Sequence, residues 1–143
     1  MPTITRGGIK LAYEERGSGS AAFVFIHGWT CDRSFFAPQA EHFAKRHRTV
    51  SVDLRGHGES DKPNGAYTIS TFADDVAHVI GALNLGKVIA VGHSMGGVTA
   101  LQLAAAHPDR VAAIVMVDPA PFAFPPDLRA GIEGLIAATE GGN

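Results

Sequence analysis

The chain alternates short apolar runs with amphipathic segments, and glycine or aspartate stops each run. Ala22–Ile26 (AFVFI) ends at His27-Gly28. Thr49–Asp53 (TVSVD) ends in the glycine-rich stretch Leu54–Gly58, Val88–Val91 (VIAV) at Gly92, and Val111–Val117 (VAAIVMV) at Asp118-Pro119. Strands apolar at successive positions are expected where helices cover both faces of a sheet. The intervening segments read as helices. Ser34–Lys45 carries Phe35, Phe36 and Phe43, with Pro38 near its first turn. Ser70 is the expected N-cap of Thr71–Leu83, in which Phe72, Val76, Val79, Ile80 and Leu83 form one core-facing stripe. Met95–His107 is the third helix, stopped by Pro108. This alternation predicts an α/β fold with a mostly parallel sheet and right-handed crossovers. Ahead of it, Thr3–Thr5 and Ile9–Arg16 read as an antiparallel hairpin across Arg6-Gly7-Gly8. After Asp118 the pattern breaks at Pro119, Pro121, Pro125 and Pro126, and Leu128–Thr139 reads as a last, glycine-weakened helix.

A length of 143 residues fits one domain. Twelve basic against fourteen acidic residues give a net charge of -2, which excludes a strong basic footprint for nucleic acid or an anionic membrane surface. No run reaches the ~18 apolar residues of a membrane span. The N-terminus, MPTITRGGIK, has no apolar core of a signal peptide. A soluble cytoplasmic protein is therefore expected. The single cysteine, Cys31, excludes an internal disulfide framework and a cysteine-rich zinc site. No pair of histidines has metal-ligand spacing, so no metal is expected.

The residues that carry chemistry are Gly92-His93-Ser94-Met95-Gly96, a G-x-S-x-G string. The string alone is moderately specific; its place between an apolar strand and a helix is what a nucleophile elbow requires. Ser94 is expected on a sharp, strained strand-to-helix turn. Side chains two residues to either side would clash there, and Gly92 and Gly96 remove them. Gly97 eases packing of the helix. The turn presents the hydroxyl above the carboxyl edge of the sheet, where ligands bind in open α/β folds. It also sets the Met95 backbone N–H at a helix N-terminus, aimed at a developing oxyanion. A second donor is expected from the loop after Ala22–Ile26, where Gly28 lets the backbone approach and Trp29 supplies the N–H.

Taken together, His27-Gly28-Trp29, the stretch Asp53–Ser60 (DLRGHGES) and GHSMGG over Gly92–Gly97 resemble the α/β-hydrolase superfamily, its serine esterase, lipase and cofactor-free haloperoxidase-like branch. The resemblance runs from about Thr3 to Pro121. It implies an α/β-hydrolase fold, Ser94 as nucleophile, the Met95 and Trp29 amides as oxyanion hole, an ester-type small-molecule substrate and no cofactor. Dehalogenase and epoxide-hydrolase branches carry Asp at the nucleophile position, where this chain has Ser94. His27, Gly28, Gly92, His93, Gly96 and Gly97 are expected as structural support. The His93 side chain should point away from the hydroxyl. His57 is expected to shape its own loop, and Asp53 and Arg55 to share a structural network at the end of their strand. Gly92–Gly97 is not G-x-G-x-x-G, so a nucleotide-binding reading is weak.

A serine nucleophile needs a base and an orienting acid, which the family supplies in the order nucleophile, acid, histidine. The sole histidine after Ser94 is His107. It falls at the far end of the elbow helix, roughly 18 Å along its axis, and cannot be the base. Asp118, ending the sixth strand at the carboxyl edge, is the candidate acid. The resemblance then implies that the chain is the N-terminal part of a longer hydrolase, truncated after about six strands. Residues 1–118 belong to the core and 119–143 open a lid or connecting region, and the catalytic histidine lies beyond Asn143. The sixth strand would become an open edge, apolar on both faces, through which chains pair. Two functions follow: a serine hydrolase of carboxylic esters or related acyl compounds, or a truncated, inactive α/β module acting by self-association or with a partner chain.

Overall fold

The computed structural model describes residues 1–119; the expected helix Leu128–Thr139 and nearly all of the expected 119–143 region lie outside them. Among the described residues six strands form one sheet: β1 (Thr3–Arg6), β2 (Ile9–Arg16), β3 (Ala22–Ile26), β4 (Arg48–Val52), β5 (Val88–His93) and β6 (Val111–Val117), in the order β1-β2-β4-β3-β5-β6. β1–β2 and β2–β4 pair antiparallel; β4–β3, β3–β5 and β5–β6 pair parallel. The hairpin turns on Gly7 and Gly8 at φ 55° and 83°, with Arg6 opposite Ile9. A two-residue hairpin loop with positive φ at both positions matches strand twist and favours glycine.

Among the described residues three α-helices cover the sheet: α1 (Ala37–Ala44), α2 (Ile69–Ala82) and α3 (Met95–Ala106). They explain the unbroken apolar runs. Along β3, Ala22, Val24 and Ile26 face the larger core with α2 and α3, while Phe23 and Phe25 face α1 with Phe36, Ala40 and Phe43. Along β5, Val88 and Ala90 take the first side and Ile89 and Val91 the second. Each face of a period-two strand thus has its own helical cover. β6 differs. Ile114 packs on the larger core, but Val115 and Val117 are 46% and 42% exposed, and among the described residues β6 pairs only with β5.

Two local expectations change. The N-cap of α2 is Thr68, whose extended backbone and hydroxyl, 3.1 Å from the Thr71 N–H, end the preceding loop; Ser70 lies in the first turn. Ahead of α1, Arg33–Phe36 forms a 3-10 turn capped by Asp32, whose carboxylate accepts the Ser34 N–H at 2.8 Å. Pro38 then occupies the first turn of α1, where a missing N–H costs nothing. Among the described residues no helix is long and apolar enough to cross a membrane.

Candidate active site

β5 passes into α3 through Ser94, at φ 52° and ψ -118°. This is a conformation that non-glycine residues rarely adopt, at a cost of about 1–3 kcal/mol. The surroundings enforce it. A Cβ on Gly92 would lie 2.0 Å from the Gly96 carbonyl oxygen, and one on Gly96 would lie 2.1 Å from that of Ile26. Backbone occupies both sites, so neither has room for a side chain. Gly97 is less tight, its nearest contact being 3.2 Å from the Gly92 oxygen. The Ser94 N–H donates to the Val117 carbonyl at 3.0 Å, tying the elbow to the end of β6. Met95 opens α3, and an N–H in the first turn has no intrahelical acceptor.

The loop after β3 packs directly against this elbow. A Cβ on Gly28 would stand 3.3 Å from the Ser94 Cβ and 3.0 Å from His93 Nδ1. A β-turn follows, with the Cys31 N–H donating to the Gly28 carbonyl at 3.3 Å. Trp29 and Thr30 occupy its exposed centre, Thr30 at φ 61°. The structure thus brings Gly28, Trp29, Ser94 and Met95 to one corner of the sheet's carboxyl edge.

His27 is fully buried. Its Nε2 accepts the Leu54 N–H at 3.1 Å, so the ring proton is on Nδ1, which donates to the Gly28 carbonyl at 2.7 Å. Burial depresses its pKa below the ordinary value, the main cause, with the neighbouring His57 adding to the fall; the bond to Gly28 opposes it. His93 lies over Phe35, ring centroids 4.5 Å apart, and its buried Nδ1 has no partner among the described residues. His57 Nδ1 lies 3.0 Å from the Arg55 carbonyl, within its own loop.

Asp118, just past β6, is exposed and sits at φ 44°. His107 caps the C-terminal end of α3, the end opposite Ser94, and its Nε2 donates to Asp74 at 2.8 Å. Asp53 and Arg55 do not share one network. Each side chain has its own set of partners. Asp53 is buried and accepts the Arg33 N–H at 2.7 Å, the Glu59 N–H at 2.9 Å and the Arg33 guanidinium. Arg55 donates to buried Asp75 at 2.5 and 2.7 Å, and Arg6 reaches the same carboxylate at 2.9 Å. The hydrogen bonds to Asp75 raise the pKa of Arg55. Sequence reading missed Arg33 and Asp75, because neither has a local signal; Asp75 lies among the apolar positions of α2 and its partners are twenty or more residues away. Among the described residues, no three His, Cys, Asp or Glu side chains are grouped to hold a metal ion.

The profile of the alpha/beta hydrolase fold matches residues 21–135. A 2-(acetamidomethylene)succinate hydrolase from Mesorhizobium japonicum is 40% identical over 116 residues, covering 81% of this chain and 41% of that protein. Among solved structures, an N-acyl homoserine lactone degrading enzyme superposes with a TM-score of 0.87 at 33% identity, over 99% of this chain and 55% of the other. A thermophilic esterase from Thermogutta terrifontis gives 0.86 at 30% identity, over 98% and 52%. The chain spans about two-fifths to about half the length of these proteins.

Proposed function

The chain belongs to the alpha/beta hydrolase fold family, and from that premise we propose that Ser94 is the nucleophile of a serine hydrolase acting on carboxylic esters or related acyl compounds. Its hydrolase relatives support the general reaction class. The observation that carries the finer reading is the elbow: a strained serine, walled by glycines, with the Gly28-Trp29 loop against its Cβ. Ser94 Oγ attacks the substrate carbonyl carbon while a base takes its proton. The Trp29 and Met95 N–H groups hold the tetrahedral oxyanion, each worth about 2.7–4 kcal/mol of transition-state stabilisation. Collapse expels the alcohol, which regains the proton, and water then hydrolyses the acyl-enzyme. Asp118 is the candidate acid that orients the base. His107 is not that base, because it sits past the C-terminal end of α3, at the opposite end of the helix from Ser94. No cofactor enters this chemistry.

A fluorophosphonate probe tests this on the natural full-length gene product. Covalent labelling of Ser94, lost in Ser94→Ala, is the expected result; labelling elsewhere, or none, overturns it. The exposed Val115 and Val117 on β6 favour a second reading, in which this stretch acts as an inactive module that self-associates through the strand edge. Light scattering after size exclusion separates the two, because a monodisperse monomer removes the second.

A further inference from the structure

The stretch Asp53–Ser60 is the one sequence motif that the proposed reaction leaves without a role, and it holds both ends of the Trp29 loop. At the entry, the Leu54 N–H donates to His27 Nε2 and His27 Nδ1 donates to the Gly28 carbonyl. That carbonyl belongs to the same peptide unit as the Trp29 N–H. A trans peptide is planar with its C=O and N–H opposed, so anchoring the Gly28 oxygen aims the Trp29 hydrogen the other way. The Cys31 N–H anchors the same oxygen from within the turn. At the exit, Asp53 accepts the Arg33 N–H and guanidinium, and it also accepts the Glu59 N–H, which binds it to its own loop. Gly58, at φ 51°, makes the fit possible: a Cβ there would lie 2.3 Å from the Asp53 carboxyl carbon.

We infer that the Asp53–Ser60 loop is a clamp that aims the Trp29 N–H, with His27 and Asp53 as its positioning residues. The inference rests on the reading of Trp29 as an oxyanion donor, but the clamp itself is measurable without turnover. Asp53→Asn keeps the shape and places an amide N–H₂ against the Arg33 guanidinium or a backbone N–H, so a carboxylate with three donors becomes a mismatched group. His27→Leu removes both ring bonds, whereas His27→Asn restores a donor near the Nδ1 position.

The experiment is the backbone ¹⁵N order parameter of Trp29, measured on the natural full-length gene product alongside Val24 and Val50 in the core. In the parent, Trp29 should read near the rigid value of about 0.85, and in Asp53→Asn and His27→Leu it should fall below about 0.6. Val24 and Val50 should not move, and His27→Asn should recover most of the Trp29 value. Should Asp53→Asn not fold, Arg33→Ala, on the more accessible partner, carries the test with a smaller fall. An unchanged Trp29, or an equal loss of order at Val24 and Val50, overturns the clamp. In the full-length protein, absence of Ser94 labelling with a loosened Trp29 in the variants discards the hydrolase reading and leaves the clamp standing. Intact labelling with an unmoved Trp29 does the reverse.

Discussion

At its N-terminus α3 starts from Ser94 at φ 52°, in a corner where glycine neighbours leave no space for a side chain. At its C-terminus it ends at His107, φ -131°, whose ring donates to Asp74, itself 3.7 Å from Arg6. The first end holds an unfavourable backbone by dense packing; the second relaxes into partly exposed polar contacts. Strain persists only where the surroundings over-determine it. Partly exposed pairs, by contrast, are worth about 0–1 kcal/mol each. The helix therefore separates an end built for geometry from an end built for modest stability.

The most drastic way to sharpen this contrast is Ser94→Gly. Phosphonate labelling of the full-length protein should vanish, a loss of about 10⁴-fold or more, while urea unfolding should show a gain of about 1 kcal/mol as strain is relieved. A loss of stability would mean that the elbow stores no strain.

Next in size is Asp75→Asn. Asp75 is buried beneath Arg55 and Arg6, and removing its charge leaves Arg55 buried without a counter-charge. The expected loss is about 3–5 kcal/mol by urea unfolding. This is far more than either end of α3 should show.

A smaller effect comes from His27. Its folded pKa lies below the ordinary 6.5 because burial penalises the imidazolium. The unfolded chain binds the proton more readily, so stability rises with pH across this range. The contribution is complete above about pH 6.5 and declines as pH falls toward the folded pKa. Urea midpoints between pH 5 and 8 should show this slope, and His27→Asn should flatten it.

The smallest is His107→Ala. It should cost no more than about 1 kcal/mol and leave Ser94 labelling intact. A large loss of labelling would join the two ends that the structure keeps apart.

Local periodicity made most of the fold legible. β2, β3 and β6 begin and end where their apolar patterns do, because each strand's alternate residues meet a core on at least one face. The start of α2 was misplaced because Thr68 and Ser70 are both good caps, and only backbone geometry selects Thr68. The glycines of the elbow were readable from sequence because their reason is local: Gly92 and Gly96 are separated by one turn of chain and meet each other. Arg33 and Asp75 were not readable. Their partners are set by how α2 and the loop before α1 dock onto the sheet, and no spacing rule reaches that far. The same distance explains why Asp53 and Arg55, neighbours in sequence, serve different partners.

The bond from the Ser94 N–H to the Val117 carbonyl has a consequence for the order of assembly. β3 lies at the interior of the sheet, and β5 and then β6 are added outward on one side as the chain emerges N-terminus first. When β5 and the first turn of α3 are complete, Val117 has not yet been made. The serine's amide acquires this tether only once β6 zips along β5. The Ser94 elbow is thus among the last parts of the described sheet to set, because its amide tether waits for the strand farthest along the chain.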